Sequence, residues 1–173
     1  MVQSEHETIA GWMHGRLPDE WFTEPASVTV DRDEILVVGR VALPDGVADD
    51  DSAESHEAAL GRITRFREET REQRIRIARE AERRFERKVS WGAVSGRSRV
   101  LFTHVAAPVM TRLRQPERQV LDTLVEAGVA RSRADALGWC VRLVGEHTED
   151  WLTQLRDAMT SVQRLREQGP TRT

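Results

Sequence analysis

The sequence predicts an α+β protein, mainly helical, and three observations carry that prediction. Two β-branched runs at 28–30 and 35–41 flank the polar tetrad Asp31-Arg32-Asp33-Glu34, which reads as an N-terminal β-hairpin. Residues 55–89 repeat apolar side chains at three-to-four spacing without a proline, which reads as one long charged helix. A short alternating strand at 109–114 leads into two amphipathic segments and a further one beyond them. The expected organisation is an aromatic arm plus hairpin over 1–50, the long helix and a short hairpin over 51–107, a strand–helix–helix unit over 108–146, and an amphipathic helix over 147–168.

At 173 residues, with 39% hydrophobic and 32% charged, the chain holds one domain or two small ones, so large multidomain enzymes are excluded. No run approaches the roughly 20 apolar residues that span a bilayer. The start MVQSEHETIA has neither the basic end nor the apolar stretch of a signal peptide, and a cytoplasmic location is expected. The single cysteine, Cys140, reads as a small core residue and leaves no disulfide or zinc scaffold. Charge is unevenly distributed. Residues 1–60 carry 3 Arg against 14 acidic residues, whereas residues 61–145 carry 19 basic against 10 acidic. A basic middle implies a polyanion partner, or an intramolecular match to the acidic N-terminal part.

Each element has its own signal. Residues 1–27 hold two aromatic clusters, Trp12 and Trp21-Phe22, around Gly15-Arg16-Leu17-Pro18-Asp19, with too little periodicity for a long element; they read as a docking arm for a protein partner. LPDGVADDDS at 43–52 is an exposed connection, and Ser52 with Ser55 supplies helix-start chemistry. The long helix places Leu60, Ile63, Phe66, Thr70, Ile77, Ala81, Phe85 and Val89 on a narrow stripe, with 11 basic and 6 acidic residues between Gly61 and Lys88. Such a face is either solvated and self-compensating or turned toward nucleic acid. Residues 88–94 and 99–102, around Ser95-Gly96-Arg97-Ser98, read as a second hairpin.

From 109 the pattern sharpens. Val109, Thr111 and Leu113 alternate with Met110, Arg112 and Arg114, which gives one core-like and one basic face. Pro116 opens a helix with the stripe Val120, Leu121, Leu124 and Val125, and Gly128 stands where a left-handed cap belongs. Ser132 then caps a helix carrying Ala136, Leu137, Cys140, Val141 and Val144.

Through VMTRLRQPER and LDTLVEAGVARSRADAL, residues 108–146 resemble the ribbon-helix-helix superfamily of MetJ/Arc type. That resemblance implies a homodimer in which one strand from each chain forms a ribbon in the major groove of duplex DNA. It implies base contacts by Met110, Arg112 and Arg114, with Arg112 the main reader because a guanidinium pairs with guanine in two places. It also implies phosphate anchoring by Arg131, Ser132 and Arg133 at the start of the second helix.

Leu137, Val141, Val144, Thr148, Trp151, Leu155, Ala158, Val162 and Leu165 step by four and three, a heptad seam suited to a dimer or partner interface. Gly145 is a candidate break, with Thr148 capping a separate last helix, and the tail after Gly169 reads as disordered.

Catalytic signatures are sparse. His6, His14, His56, His104 and His147 lack metal-ligand spacing, and phosphate-loop, dinucleotide and hydrolase-elbow patterns do not occur. Glu86-Arg87-Lys88, with Asp31 or Asp33, is a weak echo of metal-dependent nucleases. The expectation is therefore no enzyme, no cofactor and no metal: a dimeric, sequence-specific DNA-binding protein, plausible as a transcriptional regulator. The competing expectations are a protein–protein adaptor with a buried strand and an RNA- or ribosome-associated basic protein.

Overall fold

The computed structural model describes residues 2–168, so the tail expected to be disordered lies outside the described residues. The chain forms two compact units, 1–108 and 109–173.

In the first unit a four-stranded sheet has the order β1-β2-β3-β4, with β1 Ser27–Val30, β2 Glu34–Arg40, β3 Lys88–Ser95 and β4 Ser98–Leu101. Both expected hairpins form: β1 pairs antiparallel with β2, and β3 with β4. They are fused by a parallel β2–β3 pairing in which Ile35 lies opposite Val89 and Val37 opposite Trp91. Parallel neighbours need a long crossover, and the helical segment between them provides it.

That crossover is two helices, correcting the expectation of one: α2 Ala53–Glu69 and α3 Arg71–Phe85. Ser52 caps α2 as expected, its Oγ accepting from the Ser55 amide at 3.1 Å. At Thr70 the chain leaves helical geometry (φ −95°, ψ 0°), and the Thr70 hydroxyl donates to the Phe66 carbonyl at 2.6 Å. A hydroxyl bonded to its own backbone competes with helix continuation. Buried Arg74 fixes the corner, donating from Nη2 to the Arg67 carbonyl at 2.6 Å and from Nε to Thr70 Oγ1 at 3.0 Å. Its guanidinium lies 5.0 Å from the centre of the Phe102 ring. Burial, reinforced by Arg67 and Arg71, pushes the Arg74 pKa down to about 10. Length explains the break: a helix of about 16 residues spans ~25 Å, as does an eight-residue strand, so both halves can pack on β3. The unbroken helix would overrun the sheet.

The aromatic arm is likewise corrected. Residues Val2–Arg16 form a helix, α1, whose Ile9 and Met13 are fully buried one turn apart. Trp21 is buried edge-on against Phe66 and Trp91, at 5.6 and 6.1 Å between ring centres, and Trp12 stands edge-on to Phe85. These rings hold the core together with Ile35, Val37, Ile63 and Ile77, and are not a free docking surface. Phe22 lies across Gly39, where a Cβ would sit 2.2 Å from the ring, so only glycine admits that contact.

Part of the acidic–basic asymmetry is neutralised within this unit. Glu5 pairs with Arg87 and Asp51 with Arg97, whereas Arg16, held by both oxygens of Glu80, joins the minority charge of each part.

The second unit contains α4 Gln115–Glu126, α5 Arg133–His147 and α6 Glu149–Gln168. Pro116 lies in the first turn of α4, and Gly128 takes φ 75° at the turn after it, as expected. The division before α6 falls at Thr148, whose hydroxyl donates to the Val144 carbonyl, while Gly145 stays inside α5. Leu121, Ala130 and Ala136 are the buried core, with Leu113, Leu124, Val125, Leu137 and Cys140 packed against it.

Candidate nucleic-acid interface

Residues 109–114 are not a strand within this chain. They run as irregular backbone into α4, and Met110 is 97% and Val109 85% exposed, so the expected core-like face is open except at half-buried Leu113. A ribbon strand draws its hydrogen bonds from a neighbouring strand, and the described residues of the second unit contain no other strand. Arg112 and Arg114 are exposed beside Met110. The backbone of Arg114 is tied down, its N–H donating to the Glu117 carboxylate, while Arg118 holds the Leu113 carbonyl at 2.7 Å. The segment is thereby anchored where it enters α4.

The start of α5 is built from three neighbouring residues with different fates. Ser132 Oγ accepts from the Asp135 amide at 3.2 Å, which is N-cap geometry, and the Arg131 amide donates to Asp135 Oδ2 at 3.0 Å. The Arg131 side chain is 96% exposed and reaches Asp135 only at 3.8 Å. Arg133 is committed elsewhere: its Nε and Nη2 grip the two carboxylate oxygens of Asp122 on α4. Those hydrogen bonds, with the charge of Arg133, hold the Asp122 carboxyl below the usual carboxylate range and raise the Arg133 guanidinium. Of the expected phosphate-anchoring trio, Arg131 and Ser132 stand together at the helix start while Arg133 clips α5 to α4. Nothing in the sequence pattern marked that clip, since the pair is eleven residues apart across a turn.

Most of the seam residues are open on α5 and α6. Val141, Val144, Trp151, Leu155 and Val162 are exposed and Leu137 is half-buried, while the side chain of Leu165 lies outside the described residues. Val120, Val129, Leu143 and Met159 add to the exposed apolar area.

The weak nuclease-like pattern is brought together only in part. Asp33, Glu86 and Lys88 line one cleft of the first unit, whereas Asp31 Oδ1 is spent on the turn, accepting from the Asp33 and Glu34 amides. Among the described residues no three His, Cys, Asp or Glu side chains are grouped to hold a metal, and no helix is long and apolar enough to cross a membrane.

Comparison with known proteins follows the two units. Residues 7–101 match the family described as Rv1265-like protein, N-terminal domain, and residues 114–166 match the Mb1296 C-terminal domain. The uncharacterized protein Mb1296 of Mycobacterium bovis is 58% identical over 168 residues, covering 97% of this chain and 73% of that protein. Uncharacterized proteins MT1303 and Rv1265, from two strains of Mycobacterium tuberculosis, match to the same extent. No solved structure matches.

Proposed function

The chain belongs to the Rv1265-like protein family, and we propose that it is a dimeric, sequence-specific DNA-binding protein that reads the major groove with a two-stranded ribbon made from residues 109–114 of two copies. The observation that carries this reading is the open apolar and basic segment at the head of a helix pair that cannot close its own core. Among the described residues of this unit three are buried, two of them alanine, and with five partly buried neighbours they are little apolar volume for a separate unit, while Val109, Met110, Val120, Val141 and Val144 stand in water. A second copy supplies the missing cover and, by pairing strand with strand, satisfies the backbone of 109–114. In that pairing Met110, Arg112 and Arg114 point away from the shared core toward base edges. Arg131, with the first amides of α5 and the positive end of its dipole, binds the flanking phosphate.

The test is a titration of the full chain against duplex DNA at several salt concentrations. Log affinity should fall linearly with log salt, by about 0.9 per phosphate neutralised. Retention of no DNA at low salt would remove the proposal and favour the adaptor reading.

A further inference from the structure

We propose that the cleft between the β1–β2 turn and the C-terminal end of α3 binds a small phosphate ester bearing hydroxyl groups, of ribose-phosphate chemistry. The open cleft offers about 520 Å³, within the ~300–1,000 Å³ usual for small-molecule sites. Its cations fall into two groups. Arg87 is spent on Glu5 at 2.7 Å and on the Asp31 carbonyl at 2.8 Å, and Lys88 is spent on Glu82 at 3.2 Å. Arg32, Arg79 and Arg83 line the same space without a hydrogen bond or salt bridge to a described residue, Arg83 lying within electrostatic reach of Glu80. Arg79 and Arg83 are one turn apart on α3 and share a face, and Arg32 faces them from a turn held by Asp31. Three unpaired guanidiniums around one concavity suit a phosphate, which each can bind through a planar fork of donors.

The anionic side chains explain why the ligand is more than an anion. Asp33 and Glu86 also line the cleft, and neither carboxylate has a partner among the described residues. Two free carboxylates weaken a site for bare phosphate and suit hydroxyl donors carried on the same molecule. Glu86 adds an independent sign. It ends α3 at φ 55° and ψ 30°, the left-handed position where glycine is the low-cost residue. The strained cap position is thus occupied by a residue whose side chain lines the cleft. The proposal rests on the first unit alone and is independent of DNA binding by the second.

Calorimetric titration of the full chain with ribose 5-phosphate, AMP, inorganic phosphate and ribose tests it. Both esters should bind, and more tightly than phosphate; tighter binding of AMP assigns a nucleotide, and equal binding assigns the sugar phosphate. The Arg79→Gln/Arg83→Gln double variant should weaken both esters at least tenfold. Glu86→Gln should weaken the esters and tighten inorganic phosphate, because it removes a hydroxyl acceptor and a like charge together. All these side chains are exposed, and an unchanged melting curve establishes that the variants fold. Failure of both esters to bind wild-type protein at millimolar concentration, or ester binding unaffected by the double arginine change, would overturn the proposal. Phosphate binding as tightly as the esters would overturn the role given to the carboxylates.

Discussion

Arg133 Nε and Nη2 lie 2.6 and 2.7 Å from the two carboxylate oxygens of Asp122, a two-point bond that joins the start of α5 to the middle of α4. Planar bidentate pairing fixes orientation as well as distance. It therefore sets the angle between the two helices that carry the proposed DNA contacts.

The first prediction concerns acid. The folded Asp122 pKa lies below its ordinary 3.8, so the contribution of this pair is fully present above about that pH and is lost as pH falls through the folded value. Protection factors of the amides in α4 and α5, referred to the intrinsic exchange rate at each pH, should fall over that window in the wild type. Asp122→Asn should exchange faster already at neutral pH and flatten the acid dependence between them. Parallel acid dependence in variant and wild type would show that the pair does not clip the helices.

On DNA, Arg112 and Arg131 should separate cleanly. Arg112→Ala should cost about 1–3 kcal/mol on the preferred site and little on unrelated duplex, because base-edge contacts carry the discrimination. Arg131→Ala should weaken both duplexes alike and lower the salt slope by about one. Arg133→Ala should act first on the melting of the unit. Anisotropy titrations with two duplexes and a salt series read all three.

The proposed dimer seam predicts a change of mass without a loss of fold. Val141 is 65% exposed within one chain, so Val141→Glu should leave the helices of the isolated chain intact while burying a charge in the proposed interface. Light scattering should report half the wild-type mass. An unchanged dimer would place the interface elsewhere.

In the first unit Gly39→Ala forces the Phe22 ring away from the sheet. Overpacking of this kind costs about 1–3 kcal/mol, and Phe22→Leu in the same chain should recover part of the loss in a thermal melt. Equal stability of Gly39→Ala and wild type would mean that the ring moves freely.

Local pattern carried much of the fold. Both hairpins, the Ser52 and Ser132 caps and the Gly128 turn were legible because each is set by residues within a few positions. The parallel β2–β3 pairing and the break at Thr70 were not, since both depend on how a distant helix fits the length of a strand. The α1 helix escaped notice because its buried side, Ile9 and Met13, is narrow and interrupted by Gly11 and Gly15. In the candidate interface the alternation at 109–114 was readable, whereas the capture of Arg133 by Asp122 required the geometry of the helix pair. The cleft of the first unit was foreshadowed only by Asp33, Glu86 and Lys88, and its unpaired arginines emerged once the sheet brought the β1–β2 turn to the end of α3.

The most direct measurement is selection from a random duplex library by the purified full chain, with its mass recorded by light scattering at the same concentration. A dimer that reads DNA with its ribbon should enrich a short, near-palindromic site, and Arg112→Ala should lose that enrichment. A monomer that enriches no sequence would contradict that reading.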